Sequence, residues 1–168
     1  MHFDAKVHAA RRDRIYEAME RQGGGVMVLP AAEEKHRNAE NEYPFRQDSD
    51  YAWVVGLDEP SGGAVLVARG GERKLVLFVR PKDPEKEIWT GRRVGVEGAK
   101  ARYGAAEAYP VDELDAKLPE LLNGAPALWY KVGQGAAWDG RIARVLNELR
   151  QGGRLNRRAP AAIFEPGG

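Results

Sequence analysis

Two short apolar runs, residues 64–68 and 75–79, are separated by a connection, residues 69–72, that contains the pair Gly70-Gly71. Glycine readily adopts the positive φ angles that a tight turn between antiparallel strands requires, so this pattern is typical of a β-hairpin. We therefore expect the two runs to pair as antiparallel strands. A single hairpin is marginally stable in water, so the remainder of the chain must supply elements that cover it.

The remainder of the chain alternates amphipathic helical stripes with short apolar runs. The run 26–29 ends at Pro30, as expected of a buried central strand. Further strands are predicted at 127–130 and, because Pro110 cannot donate to a ladder, at the edge position 108–111. Helical segments are predicted before the glycines at 23–25, 56, 91, 104, 124 and 152–153. This order predicts an α/β fold, in which helices cover both faces of a mixed sheet of about five or six strands.

Three local features give more specific expectations. The charged side chains of the first helix are expected to form a solvated face. Asp112 is expected to cap the leucine-rich helix 112–122, and Pro119 is expected to break or kink that helix. Residues 157–166 are expected to form an extended tail.

Residues 42–60 fit neither a two-residue nor a 3.6-residue period, because aromatic, basic, amide and acidic side chains alternate unevenly. Asp48 and Ser49 are expected to cap a short helical turn. Arg46 carries five donors and could tie loop carbonyls or a carboxylate to the frame. Two interpretations stay open here: a structured loop whose rings fill the core, or a surface shaped to meet another domain or a ligand.

The charge balance excludes several classes of function. The chain has 26 basic and 25 acidic side chains, a net charge of +1, so no broad attraction to nucleic acid or anionic lipid is expected. Cysteine is absent, which excludes disulfides and thiolate chemistry and suits a reducing cytoplasm. No apolar run reaches the roughly 20 residues of a membrane span. Residues 1–20 carry charge throughout, so no signal peptide is expected.

Few side chains are available for catalysis. Ser49, Ser61 and Thr90 are the only residues of their two types, and neither a nucleophile elbow nor a phosphate-binding loop is present. The histidines are His2, His8 and His36. A metal site could be drawn from His36 with Glu33, Glu34 or Glu40, but these side chains are expected to be solvated. The pair Asp58-Glu59 is likewise expected to be surface charge.

Two sequence blocks carry a resemblance to a known family. The first is 42–51, Glu-Tyr-Pro-Phe-Arg-Gln-x-Ser-Asp-Tyr, followed by Gly56 and Glu59-Pro60; the second is 87–95, Glu-Ile-Trp-Thr-Gly-Arg-Arg-x-Gly. In this order and spacing they resemble the amino-terminal domain of bacterial Xaa-Pro aminopeptidases (aminopeptidase P), which are related to prolidase and creatinase. Weaker similarities lie at 121–124 and 159–161. The resemblance extends over essentially the whole chain and implies the creatinase/aminopeptidase P amino-terminal fold.

The resemblance also implies that catalysis belongs to a different domain. Members of the family are hydrolases that remove an N-terminal residue preceding proline. Their two metal ions, usually manganese, are held by two Asp, one His and two Glu in a carboxy-terminal catalytic domain. The present chain is expected to end before that domain, with an amino-terminal domain at 1–155 and a linker at 156–168. It should therefore hold no metal and be inactive alone.

The resemblance further assigns roles to individual residues. Glu40, Trp89, Arg92 and Arg93 are implied to border a substrate entrance or an interface, while Tyr43, Arg46, Gln47, Ser49 and Asp50 belong to the structural motif. Trp89 could instead anchor a core or an interface, and the two arginines could form a salt bridge or an interdomain contact. The implied partners are the protein's own catalytic domain, neighbouring subunits of a homo-oligomer, and peptides with proline in second position.

Two competing functions stay open from the sequence. Relatives of this fold without catalytic metals serve as peptide- or histone-binding domains, so a stand-alone binding module is the main alternative. A complete small enzyme that uses Glu40, His36 and Arg46 is the weaker one. If a catalytic domain packs on this one, an exposed apolar patch is expected on its surface.

Overall fold

A mixed sheet of six strands forms the middle layer of the structure, a computed structural model that describes residues 3–34, 45–152 and 156–166. The strands are β1 (Gly25–Pro30), β2 (Gly63–Arg69), β3 (Glu72–Val79), β4 (Glu107–Pro110), β5 (Ala127–Trp129) and β6 (Ala162–Phe164). They lie side by side in the order β4-β3-β2-β1-β5-β6. The pairs β1–β2 and β2–β3 are antiparallel, and the pairs β3–β4, β1–β5 and β5–β6 are parallel.

The predicted hairpin is confirmed. Strands β2 and β3 pair as far as Arg69 opposite Glu72. The two residues between them, Gly70 and Gly71, have φ angles of 59° and 79°. A β-branched side chain would be strained at both positions, which explains why the turn is built from two glycines.

Helices cover both faces of the sheet, as predicted. They are α1 (Ala5–Arg21), α2 (Ser49–Val54), α3 (Pro84–Thr90), α4 (Gly95–Tyr103), α5 (Leu114–Leu122) and α6 (Ala136–Gln151). Successive strand residues point to opposite faces: in β1, Met27 and Leu29 pack with α1, α2 and α4, whereas Val26 and Val28 pack with α5 and α6. Two apolar cores thus lie on either side of one central sheet.

The predicted start of α5 is wrong. Asp112 lies within a 3-10 turn, Val111–Glu113, and makes no capping hydrogen bond to the helix that follows. Pro119 lies inside the helix without breaking it. Only the hydrogen bond to the carbonyl of Asp115 in the first turn is lost, while the buried leucines at 114, 118 and 122 hold the helix on the sheet.

The predicted extended tail is part of the sheet. Ala162, Ile163 and Phe164 pair with the three residues of β5, and the amide of Tyr130 donates to the carbonyl of Phe164 over 3.0 Å. Upstream, Asn123 accepts from the amide of Arg158 over 2.8 Å, and the amide of Gly124 donates back to the Arg158 carbonyl over 2.8 Å. These two bonds align the segment beside β5. The boundary at residues 155 and 156 stays a prediction.

Among the described residues, no helix is both long enough and apolar enough to cross a membrane.

Candidate functional site

Gln47 is the centre of the first motif block. Its Oε1 accepts from the amides of Ala32 (2.8 Å) and Asp48 (3.0 Å), and its Nε2 donates to the carbonyls of Leu57 (3.1 Å) and Glu59 (2.7 Å). One amide side chain thereby fastens three backbone segments together. Arg46 is exposed, and within the described residues Gln47 performs the role that was expected of its neighbour.

The motif continues into the predicted helical turn α2, which Asp48 caps as expected, whereas the expectation that Ser49 also caps it is wrong. The Asp48 carboxylate accepts from the amide of Tyr51 over 2.9 Å, which is a helix cap. Ser49 is the exposed first residue of the helix, and the half-buried Asp50 lies 3.9 Å from the ammonium of Lys131. The Tyr51 ring is fully buried, and this burial raises the pKa of its hydroxyl far above the ordinary value.

Three basic side chains of α1 hold the other end of α2. The carbonyl of Trp53 accepts from Arg11 Nη1 (3.1 Å) and lies 2.9 Å from His8 Nδ1, and the carbonyl of Val54 accepts from Arg12 Nη1 (3.0 Å). His8 and Arg12 are only 9% and 7% exposed. The expected solvated face of α1 is therefore wrong for Arg12. Its charge is stabilised by the negative end of the short helix α2.

The second motif block forms α3 and the turn that follows, and this α3 segment, residues 83–94, is the candidate site. No residue of α3 is buried. Ile88 is 78% exposed and Trp89 is 87% exposed, while Arg92 is exposed and Arg93 is half-buried. Such exposure excludes Trp89 as a core anchor and leaves its indole available to a binding partner.

Two carboxylates hold this segment, and its last residue, Val94, also packs against the core beside the sheet. Glu87 accepts from the amide of Asp83 (3.2 Å) through Oε2 and from the amide of Arg93 (2.7 Å) through Oε1. The guanidinium of Arg93 donates to the carbonyl of Pro81 over 3.1 Å. Arg93 therefore has a structural role in the loop, through a carbonyl rather than a salt bridge.

Glu59 joins the two motif blocks. Its Oε2 accepts from the amide of Val94 over 2.8 Å, and its Oε1 lies 3.5 Å from Arg80 Nη2. The expectation that Asp58 and Glu59 are both surface charge is wrong for Glu59, whose side chain is 17% exposed. Gln47 holds the carbonyl of the same residue, so the loop of the first block and the end of the α3 segment share one anchoring point.

Two of these anchoring residues were not identified from the sequence. Glu87 lies four residues after Asp83, which caps α3 by accepting from the amide of Lys86 (3.3 Å), and Pro84 occupies the first helical turn. An Asp-Pro start followed by a glutamate is a recognisable helix-start signal. Glu59 carries no comparable local signal, because its partner Val94 lies 35 positions away.

The remaining site residues fall in two groups. Glu40, Tyr43 and His36 lie outside the described residues. Glu33 and Glu34 are exposed, and Glu33 accepts from the Ser61 hydroxyl over 2.8 Å. Within residues 3–34, 45–152 and 156–166, no group of three or more His, Cys, Asp or Glu side chains could hold a metal ion.

This arrangement offers groups that can bind a partner. An indole on a rigid segment offers a flat apolar wall to a small ring, and a neighbouring guanidinium can pair with a carboxylate. The indole of Trp89 and the guanidinium of Arg92 are both exposed. The carboxylate of Glu87, in contrast, is bonded to backbone amides of the same segment.

Comparisons with known proteins agree with the resemblance noted from the sequence. The family model for the aminopeptidase P N-terminal domain matches residues 8–129. The Xaa-Pro aminopeptidase of Escherichia coli (strain K12) is 36% identical over 156 residues, which cover 92% of this chain and 35% of that protein. The Xaa-Pro aminopeptidase of Haemophilus influenzae is 38% identical over 120 residues, covering 71% of this chain and 27% of that protein.

The fold agrees as well. A solved structure of Escherichia coli aminopeptidase P superposes with a TM-score of 0.91 at 34% identity, over 98% of this chain and 37% of that one. The chain therefore spans about a third of the length of these relatives. The family model spans both motif blocks and therefore includes the α3 segment. From the matched sequence and the shared six-stranded fold together, we conclude that this chain belongs to the family of aminopeptidase P N-terminal domains.

Proposed function

We propose that this chain is the non-catalytic amino-terminal domain of a proline-specific metalloaminopeptidase, and that its α3 segment shapes the entrance for substrate. The proposal is supported by relatives that are named Xaa-Pro aminopeptidases and are about three to four times as long as the matched region. In this proposal, peptide hydrolysis takes place in the part of the enzyme outside the region that matches this chain.

One observation supports the proposed role of the α3 segment at the substrate entrance. Trp89 is 87% exposed, yet the backbone around it is fixed by Glu87 and Glu59. The exposed indole offers a large apolar surface, and its burial against a partner would be favourable. The ring of proline in the second position of a peptide is a suitable partner, because both surfaces are flat and apolar.

The metal ions are assigned to the catalytic domain. One solved relative is a zinc-substituted Escherichia coli aminopeptidase P in complex with product, which supports a metalloenzyme. Two ions, manganese by expectation, would activate a water molecule and polarise the scissile carbonyl. The described residues of this chain offer no fitting group of ligands, so its contribution is to bind and orient peptide.

We propose that two of the exposed apolar surfaces, on β6 and on the α3 segment, meet the partners of the domain. Besides Ile88 and Trp89, the large exposed hydrophobic residues of the described chain are Val7, Trp53, Val132, Ile163 and Phe164. The pair on β6 lies at the open edge of the sheet, where the enzyme's own catalytic domain would pack. The α3 segment would face a neighbouring subunit of a homo-oligomer, and a cytoplasmic location is consistent with the absence of cysteine.

The test replaces Trp89 in the protein encoded by the complete gene. We expect Trp89→Ala to raise KM for Xaa-Pro peptides about ten-fold, because a well-placed aromatic contact is typically worth more than 1 kcal/mol. The melting temperature should stay within about 2 °C, since the ring is exposed. Trp53→Ala, at an indole that is 44% exposed on another helix, is the matched control. Unchanged kinetics with a lowered melting temperature would make Trp89 structural instead.

A stand-alone binding module is the second candidate, and the exposed Ile88 and Trp89 favour it too. The two candidates differ in what the chain does alone. A binding module would bind proline-containing peptides with micromolar affinity as the isolated chain, whereas an entrance wall would need the catalytic domain for the other side of the site. Calorimetric titration of the chain with such peptides separates them.

A further inference from the structure

The position of Trp89 poses a physical problem, because within residues 3–34, 45–152 and 156–166 the helix that carries it buries none of its own side chains. Helix α3 has seven residues and none is buried. A helix of this length is not stable in water without tertiary contacts. Its two large apolar residues, Ile88 and Trp89, point outward. Among the described residues, hydrogen bonds from carboxylates hold α3 and the turn that follows it.

Glu87 supplies the main polar contacts from within the helix. Each of its carboxylate oxygens accepts one backbone amide: that of Asp83, before the helix, and that of Arg93, after it. One side chain thereby closes the whole loop from residue 83 to residue 93. Hydrogen bonds to a charged acceptor are stronger than neutral ones, and Glu87 is half-buried, which strengthens them further.

The helix geometry separates the anchor from the binding surface. Residues two positions apart on a helix lie about 200° apart around its axis. Glu87 therefore faces the loop backbone while Trp89 faces away from it. The amide of Val94, the residue after Arg93, donates to Glu59 and so attaches the loop to the first motif block.

We propose that Glu87 is a positioning residue for Trp89: it closes the α3 loop and so fixes the direction in which the indole meets the peptide. This inference rests on the proposed role of Trp89 at the substrate entrance. Glu87 itself contacts neither peptide nor metal in this proposal. Its effect on substrate binding passes entirely through the indole.

The first arm of the test measures the loop in the present chain. We expect Glu87→Ala to accelerate hydrogen exchange at the amides of Asp83 and Arg93 about ten-fold or more, while amides of the sheet are unchanged. Glu87→Gln keeps one acceptor oxygen and should give an intermediate effect. Glu85→Ala, an exposed glutamate of the same helix, is the matched control and should change neither amide. Unaltered exchange in Glu87→Ala overturns the proposal.

The second arm measures kinetics in the protein encoded by the complete gene. We expect Glu87→Ala to raise KM for Xaa-Pro peptides about as much as Trp89→Ala, and the double variant to be no worse than either single variant. Additive effects would show that Glu87 acts by another route and overturn the proposal.

The two arms keep this inference distinct from the proposed function. If Trp89→Ala raises KM and Glu87→Ala does not, the positioning role alone is rejected. If Trp89→Ala leaves kinetics unchanged, the entrance role is rejected and the positioning role with it, whatever the exchange rates show about the loop.

Discussion

At the scale of single residues, the chain relies on a few side chains that bond to distant backbone. Gln47 holds residues 32, 48, 57 and 59, and Glu59 holds Val94. The sequence marks residues 42–60 as unusual, because their mixed aromatic and polar side chains fit no regular helix or strand pattern. It does not indicate their partners, which lie up to 35 positions away. For this reason the sequence suggests Arg46 as a residue that ties the loop, and predicts surface charge at Glu59.

The residue-scale prediction separates Gln47 from its neighbour. Gln47→Ala removes four hydrogen bonds and leaves partly buried amides and carbonyls unpaired, so the free energy of unfolding should fall by about 2–3 kcal/mol. Arg46→Ala, at an exposed side chain, should change it by less than about 0.5 kcal/mol. Urea unfolding followed by circular dichroism measures both. A larger loss for the arginine variant would restore the role first expected of Arg46.

At the scale of elements, local patterns predict what forms and tertiary contacts decide how it is held. The hairpin and α6 follow directly from glycine positions and a clean apolar stripe. Pro119 was expected to break α5, but the leucines beneath it outweigh one lost hydrogen bond. Edge strand β4 is held by side chains as well as its ladder: Lys74 of β3 bonds Glu107 over 2.6 Å, and Tyr109 donates to Glu107 over 2.6 Å.

The element-scale prediction concerns pH. The hydrogen bonds from Lys74 and Tyr109 lower the pKa of Glu107 below its usual 4.5. A carboxyl with a lowered pKa in the folded state stabilises the protein at neutral pH, and this stabilisation is lost as pH falls below about 4.5. Glu107→Gln should therefore cost about 0.5–1 kcal/mol at pH 7, the range for partly exposed pairs, and nothing near pH 2. Thermal melts across this range check it; a difference that persists near pH 2 would point to packing instead.

At the scale of the whole molecule, the domain consists of two apolar cores on opposite faces of one mixed sheet. Helix α3 lies outside these cores, and the carboxylate of Glu87 bonds to the backbone of the α3 segment. The cores explain the stability of the domain, and the exposed indole explains why a partner is expected. About two thirds of the length of its relatives lies outside the matched region, so the chemistry is proposed to lie there.

The whole-molecule prediction follows from that division. In the proposed function the metal ligands belong to the catalytic domain, so the present chain should not hydrolyse Xaa-Pro peptides with added manganese. In the protein encoded by the complete gene, a chelator should abolish turnover, while hydrogen exchange in β1, β2 and β3 should stay unchanged. Peptide turnover and exchange mass spectrometry provide the readouts. Turnover by the chain alone, scaling with its concentration through purification, would contradict the proposed function.

The sequence alone determined the α/β class, the hairpin, helix α6 and the two motif blocks. Glycine positions and apolar periodicity reveal these features because they act over a few neighbouring residues. It also marked Trp89 as a residue of interest through the block that contains it. Only the tertiary structure decided that β6 joins the sheet, that Arg12 is buried against α2, and that Glu59 and Glu87 hold the α3 segment. Each of these depends on where a distant backbone amide or carbonyl comes to lie, and that position is fixed by the packing of the whole domain rather than by any local stretch of chain.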